Sequence, residues 1–368
     1  MPITRRQFVV GAAAAGAALA ARNGRGETPA AQAHRQAFVV DTHAHFFPEE
    51  WVRLVEREGG SNGGKVGRNE RGATTLSVPG MDSAFTPPYM DLAIRLKAMD
   101  EKRVQVHALS LTAPMVYWAP AAFGLRLSQA FNDACSAANA KHPGRFVGMA
   151  TLPMQAPDLA LKELERAAKL PGLRGLYLGT HVNGKNLDEK EYFPIYAKCQ
   201  ELGWPIFLHP LNPVGADRMA RYYLRNLLGN PYDTGIAAAS LVFGGVLDAF
   251  PKLDVMLPHA GGTFPALIGR LDRGAKVRAE NKHMQQPPSA YLRRFHYDTI
   301  GHNNAIVSNL VRQVGADRVV LGSDYTFDMG YERPVEVVEA LAGISDADRE
   351  LILGGNAARL LRIERRPA

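Results

Sequence analysis

Cysteine is scarce in this chain, with only Cys135 and Cys199 among 368 residues. Both lie in amphipathic stretches of helical periodicity, and neither belongs to a CxxC pair or a zinc-knuckle spacing. The sequence therefore excludes a metal site built on cysteine pairs. We expect both thiols to be free and buried.

Basic runs are also missing, although the net charge is +7. Lysine and arginine are scattered and are not interleaved with aromatic residues, so we expect no nucleic-acid binding. A glycine-rich dinucleotide fingerprint is absent after the first predicted strand, which argues against an open, doubly wound sheet. With 46% hydrophobic residues, the chain can still bury a large core.

A long hydrophobic run is absent too. The apolar stretch that ends at Ala21 is too short and too poor in large side chains for a comfortable membrane span. It follows Arg5 and Arg6 and contains Ala18-Leu19-Ala20, an A-x-A cleavage site. This order of residues predicts a twin-arginine-type signal peptide over residues 1–21.

The signal peptide implies a domain organisation. Residues 22–36 are predicted to be a flexible linker, and residues 37–368 the folded domain. We expect recognition by the twin-arginine export machinery, a periplasmic or exported location, and no stable membrane span after cleavage. An uncleaved anchor and a plain disordered tail are the alternatives.

Short apolar strands alternate with amphipathic helical stretches from residue 37 onward. Because helices separate the strands, the strands pair in parallel through right-handed crossovers. Eight such units in about 330 residues predict an α/β fold, a (β/α)8 TIM barrel. The strands are predicted to end near His43, Leu111, Leu152, Leu178, His209, His259, Thr299 and Asp324.

Two long insertions interrupt the repeat. Residues 46–90 follow strand 1 and residues 210–235 follow strand 5. Loops of this length are uncommon unless they act as lids or binding elements. Both would extend from the carboxyl ends of strands, which form the catalytic face of a barrel.

Histidine and aspartate residues recur at those strand ends. His43 and His45 point to the same side of strand 1, because alternate side chains of a strand share a face. A single strand-end histidine is usually structural, but the barrel also brings His209 and Asp324 to the same rim. Imidazole plus carboxylate suits zinc and tolerates manganese, so we predict one divalent metal ion, Zn2+ in preference to Mn2+.

His259 follows strand 6 and is predicted to lie just outside the metal ligands. There it would act as general acid or base toward the substrate or a bound water. Asp324 would combine ligand and proton-acceptor roles. A bound cation also lowers the pKa of its water toward about 7, which provides a hydroxide at neutral pH.

Longer motifs resemble the amidohydrolase superfamily, specifically its decarboxylase branch typified by aminocarboxymuconate-semialdehyde decarboxylase. By this resemblance, His43, His45, His209 and Asp324 are metal ligands and His259 is the catalytic histidine. The branch lacks the bridging lysine of two-metal relatives, and strand 4 here ends without a lysine. The motifs that carry the resemblance are residues 145–148, 151–157, 179–183, 243–246, 250–253, 259–265 and 354–357.

Arg270 matches a substrate-binding arginine of that family. It follows His259 by eleven residues on a predicted helix, roughly 16 Å along the axis, too far to reach its own site easily. The resemblance implies a homodimer in which Arg270 reaches the neighbouring site. The alternative is a surface arginine that pairs with Asp272 or Glu280.

The sequence also departs from the family pattern. No arginine occurs in the segment 76–91, where the family has its other substrate arginine, and Leu211 replaces an expected tryptophan. These changes argue against the muconate semialdehyde itself as the substrate.

Further residues near the predicted rim are candidates for substrate contacts, although structural hydrogen bonds and loop packing would equally explain them. They are Phe46, Trp118, His181, Asn183, His302 and Phe327.

The leading hypothesis is a metal-dependent, non-oxidative decarboxylase (carboxy-lyase) that acts on an unsaturated or aromatic small-molecule carboxylic acid. The alternative is a metal-dependent hydrolase of a lactone, ester or amide, because the same ligands serve both reactions. A non-catalytic exported binding protein is the third possibility, and the full ligand set together with His259 argues against it.

Overall fold

The computed structural model describes residues 37–70, 72–79 and 81–364, so the predicted signal peptide and linker lie outside the described residues. The strands are β1 Val40–His45, β2 Lys65–Arg68, β3 Thr74–Val78, β4 Met81–Phe85, β5 Val106–Ser110, β6 Phe146–Ala150, β7 Leu173–Gly179, β8 His181–Val182, β9 Lys185–Asn186, β10 Ile206–His209, β11 Val255–Leu257, β12 Phe295–Asp298 and β13 Val319–Val320. The helices are α1 Glu49–Glu58, α2 Pro87–Met90, α3 Leu92–Glu101, α4 Ala121–Lys141, α5 Pro157–Ala167, α6 Phe193–Leu202, α7 Asn230–Phe243, α8 Val246–Ala249, α9 Phe264–Val277, α10 Asn304–Val314, α11 Pro334–Glu339, α12 Asp346–Glu350 and α13 Asn356–Leu361.

Eight parallel strands form the barrel, in the order β1-β5-β6-β7-β10-β11-β12-β13. They are short, apolar and buried almost throughout, as expected for strands covered on both faces. The chain after β13 closes the sheet onto β1: Thr42 N donates to Leu321 O at 3.0 Å, and Asp324 N donates to His43 O at 2.9 Å. The predicted (β/α)8 barrel is confirmed, and its closure brings Asp324 beside β1.

Amphipathic helices cover the outside of the barrel. In α10, Val307, Leu310, Val311 and Val314 share one buried face, and Asn303 caps the first turn by accepting from Ala305 N. Burying each such side chain contributes roughly 1.5–3 kcal/mol relative to exposure. Among the described helices, none is long and apolar enough to cross a membrane.

The insertion after β1 is folded rather than irregular. Residues 46–90 contain α1, α2 and a three-stranded antiparallel sheet, β2-β3-β4. The insertion after β10 is shorter than predicted, because α7 begins at Asn230 rather than near residue 236. Asn230-Pro231 is compatible with a turn in the sequence. In the structure, however, a π-helical turn over Arg225–Gly229 runs directly into α7, with Asn230 N donating to Arg225 O.

Candidate metal centre and active site

Four side chains converge at the carboxyl ends of the barrel strands. His43 and His45 come from β1, His209 ends β10, and Asp324 follows β13. Their ligand atoms all lie within 4.8 Å of one another, and all four residues are buried. His45 Nε2 is 3.1 Å from His43 Nε2 and 3.0 Å from Asp324 Oδ1.

Hydrogen bonds on the far side of each ring orient the three imidazoles. His43 Nδ1 donates to Asp298 Oδ2 at 2.8 Å, and His209 Nδ1 donates to Pro210 O at 2.8 Å. His45 Nδ1 lies 3.2 Å from the Ser110 hydroxyl, which itself donates to Ala44 O. This network assigns the proton of each neutral ring to Nδ1. Three Nε2 lone pairs therefore face one point.

The donor set fits a divalent metal ion. Lone pairs of two neutral imidazoles repel each other at 3.1 Å unless a cation or a proton lies between them. In tetrahedral zinc sites with ligand bonds of about 2.0–2.1 Å, neighbouring ligand atoms lie about 3.3 Å apart, close to the spacings here. Each imidazole has an outer hydrogen-bond partner, as metal-binding histidines do.

The pKa values of these groups follow from burial and neighbouring charge. Burial lowers the pKa of His45 and of His209 well below the usual value, which keeps both rings neutral. Burial also acts to lower the pKa of His43, but its hydrogen bond to Asp298 and the charge of Asp324 outweigh it, so the pKa is raised. Burial raises the pKa of Asp324.

His259 lies beside the four ligands, on the turn that follows β11. Its Nε2 is 4.0 Å from Asp324 Oδ2, and its side chain is 14% exposed. The buried Nδ1 has no hydrogen-bond partner among the described residues. Burial, followed by the positive charge of His43, lowers the pKa of His259. His259 lines the cavity, so its neutral imidazole can exchange a proton with a bound molecule through Nε2.

The cavity above the centre has a volume of about 540 Å3. Both insertions supply its walls, β4 with Met81 and Asp82, and residues 211–226 with Leu211 and Arg225. Phe327 lines the same cavity, with its ring centroid 5.2 Å from that of His45. A carboxylate ligand with an apolar body therefore meets one apolar wall, one arginine and two of the metal-binding residues, His209 and Asp324.

Four of the other predicted contact residues line two further cavities. His302 lines an adjoining cavity of about 400 Å3 that also includes His259 and Asp324. Trp118, His181 and Asn183 line a separate cavity of about 520 Å3, which shares Met81 and Leu211 with the metal cavity.

Phe46 and Arg270 are not brought to the metal cavity. Phe46 is buried beneath the insertion, with its ring 6.4 Å from that of Phe131 in α4 and close to the Arg95 guanidinium. The main chain at Phe46 continues β1, and the alternation that turns His45 inward turns Phe46 outward. Arg270 lies on the exposed face of α9 and lines none of these cavities.

Several residues that support the site were missed at the sequence level. Ser110 and Thr112 contact the rings of His45 and His209 from strand β5 and the loop after it. Arg95 is fully buried in α3 and donates to the carbonyl oxygen of His45. An arginine one helical turn before the buried Met99 was the available signal.

The sequence is similar to known proteins over most of its length. A family model described as amidohydrolase matches residues 40–363. The chain is 34% identical over 333 residues to 2-amino-3-carboxymuconate-6-semialdehyde decarboxylase of Dictyostelium discoideum, covering 88% of this chain and 92% of that one.

Two solved structures have a similar fold over most of the chain. IDCase from Metarhizium anisopliae in its apo form matches with a TM-score of 0.81 at 25% identity, over 90% of this chain and 99% of that one. A dihydroxybenzoic acid decarboxylase from a Polaromonas species, with bound manganese and the inhibitor 2-nitroresorcinol, matches with a TM-score of 0.74 at 26% identity, over 90% and 98%.

Proposed function

The chain belongs to the amidohydrolase family, and we propose that it is a metal-dependent, non-oxidative decarboxylase of an unsaturated or aromatic carboxylic acid. The convergence of three imidazole Nε2 atoms and one Asp324 oxygen, with His259 beside them, carries the proposal. The names of the relatives support the reaction type: one decarboxylates an unsaturated acid, another a dihydroxybenzoic acid.

Decarboxylation breaks the bond between the substrate carbon and its carboxylate, and a proton must replace the departing CO2. A divalent cation held by the four ligands would supply Lewis acidity, which would stabilise the negative charge that develops on the substrate. The proton moves through His259 Nε2 and Asp324 Oδ2, which lie 4.0 Å apart at the edge of the cavity. Phe327 packs against the substrate body, and Arg225 attracts its negative charge.

For the metal, we propose a single ion, with Zn2+ expected from three imidazole ligands and Mn2+ supported by the relative that binds it. Metal analysis of the purified protein decides between the two. Reconstitution of metal-free protein with each ion, followed by activity measurement, provides the control.

We propose that the protein is a homodimer in which Arg270 reaches the neighbouring site. Two observations support this. Arg270 is exposed and has no partner among the described residues, and Leu267, one turn earlier on α9, is a 42%-exposed leucine.

We also propose export by the twin-arginine route, on the basis of residues 1–21 alone. Fractionation of cells that carry the natural chain or the Arg5→Lys, Arg6→Lys double variant tests it. Retention of only the variant in the cytoplasm is expected, and equal distribution of both would contradict export.

Product analysis tests the reaction itself. Metal-loaded protein is incubated with a panel of aromatic carboxylates and lactones, and evolved CO2 is measured against released acid. We expect CO2 from at least one hydroxylated aromatic acid, with loss of activity on chelation. Acid release from lactones without CO2 would establish the hydrolase instead.

A further inference from the structure

A second cavity of about 520 Å3 lies next to the metal cavity. Among the described residues, only Met81 and Leu211 line both. Cavities of roughly 300–1,000 Å3 accommodate drug-sized ligands, so each of the two exceeds the needs of a single-ring acid.

Two flexible aliphatic side chains divide the cavities. Leu211 packs against the end of β7, where a Cβ on Gly179 would lie 2.5 Å from Leu211 Cδ1. Met81 begins β4 and is half-buried, and unbranched methionine readily adopts other rotamers. The described residues that line both cavities are therefore aliphatic, and a ligand that passes between them meets apolar side chains. One polar link also joins the two linings, because Arg225 of the metal cavity donates to Asn212 Oδ1 of the second cavity.

The walls of the second cavity are largely apolar. Val78, Pro79, Trp118 and Ile236 line it. Of its described lining residues none is lysine or arginine, and His181 has both ring nitrogens occupied, by Gly184 N and by Asn212 O, each at 3.1 Å. A second carboxylate would meet no cation there, so the cavity suits an uncharged group.

Two residues of the cavity lining have unused hydrogen-bonding capacity. The Asn183 amide donates to Tyr117 O at 2.8 Å, but its oxygen has no partner among the described residues. The Tyr117 hydroxyl accepts from Gly179 N at 3.1 Å, and its own hydrogen has no acceptor among them. A hydroxyl group can donate to the first and accept from the second.

Resting on the proposed decarboxylase function, we infer that the substrate is a two-ring acid. Its carboxylate end occupies the metal cavity, and an uncharged distal ring with a hydroxyl group passes between Met81 and Leu211 into the second cavity.

The test uses calorimetric binding to metal-loaded protein with four probes: benzoate, a biphenyl carboxylate, and its distal-hydroxyl and distal-carboxyl derivatives. We expect the distal-hydroxyl probe to bind at least tenfold more tightly than benzoate, and the distal-carboxyl probe to lose this gain. Equal affinity for benzoate and for both biphenyl probes whose distal ring is uncharged would overturn the inference.

Two variants and one control variant show which residues cause the differences in affinity. Leu211→Trp fills the boundary and is expected to reduce the biphenyl-to-benzoate preference about tenfold, whereas Val277→Trp, which adds the same side chain at an exposed site outside both cavities, should retain it. Asn183→Gly suits the positive φ of 50° at this position and should abolish only the gain from the distal hydroxyl. Persistence of the preference in Leu211→Trp would also overturn the inference.

These outcomes distinguish a failure of the two-ring inference from a failure of the proposed decarboxylase function. Tight biphenyl binding without CO2 release from any acid would leave the two-cavity site intact and remove the decarboxylase function. CO2 release from single-ring acids without any preference for biphenyl probes would retain the decarboxylase function and remove the two-cavity site.

Discussion

Asp298 connects the metal ligand His43 to the turn that carries His259. One carboxylate oxygen accepts from His43 Nδ1 at 2.8 Å, and the other accepts from Ala260 N at 2.9 Å. Both hydrogen bonds are buried. Burial acts to raise the pKa of Asp298, but the hydrogen bond from His43 together with the positive charges of His43 and His259 outweighs it. The pKa is therefore lowered, and the ionised Asp298 orients both elements.

Asp298→Asn is therefore expected to weaken metal binding about 10- to 100-fold, as loss of such outer partners typically does. Competition with a chelator measures the affinity. Asp254→Asn is the matched control, because Asp254 contacts His296 at 3.2 Å in a similar pair away from the metal. An unchanged affinity in Asp298→Asn would contradict this role.

His209→Ala and His259→Ala separate ligand from catalyst. We expect His209→Ala to lose metal, because one of the three Nε2 donors is removed. His259→Ala should retain metal and lose turnover, because only the proton-transfer group is removed. Metal content and CO2 release are measured on the same samples, and parallel loss of both in His259→Ala would refute its assigned role.

Metal binding should release protons near neutral pH. The pKa of His43 is raised in the metal-free protein, so at pH 6.5 its Nε2 holds a proton that the metal must displace. The pKa values of His45 and His209 are lowered, so these rings release none. Calorimetric titrations in buffers of different ionisation enthalpy should report net proton release on metal binding at pH 6.5 that falls as the pH rises. Independence of the heat from the buffer would contradict this.

Arg95→Met should destabilise the fold. The guanidinium lies 4.8 Å from the Tyr325 ring, contacts His107 Nδ1 at 3.3 Å and supports the His45 carbonyl. Loss of the hydrogen bonds from this buried group is expected to lower the free energy of unfolding by about 1.5–3 kcal/mol. Arg103→Met is the control, because its ion pair with Glu339 is partly exposed and contributes at most about 1 kcal/mol. Denaturant midpoints measure both.

Arg270→Ala should raise KM more than it changes metal content, because its proposed partner is a substrate in the neighbouring subunit. Mixing Arg270→Ala with the metal-free His209→Ala protein should restore activity if subunits exchange and share residues. Light scattering establishes the oligomeric state. A monomer with unchanged KM would remove the cross-subunit role.

The barrel and the metal ligands could be predicted from local sequence. Strand-end positions of His43, His45, His209 and Asp324 follow from alternating apolar runs and helices, and a closed barrel directs all carboxyl ends to one rim. Helix starts such as that of α7 were less predictable, because Asn230-Pro231 is compatible with both a turn and a first helical turn.

The substrate cavity was not predictable in the same way. Phe46 and Phe327 both occur near ligands in sequence, yet only Phe327 lines the cavity. Arg225 reaches the cavity from an insertion without regular periodicity. Contacts between insertions that are far apart in the chain leave no local pattern, since they depend on how each segment folds back over the barrel.

The sequence by itself determined the parallel α/β repeat and the identity of the metal-binding groups, because both arise from periodicity within single strands and helices. The tertiary structure alone decided which lone pairs face each other, which residues close the cavity, and that Met81 and Leu211 separate it from a second one. Those properties depend on distances between segments that only barrel closure and the folded insertions establish.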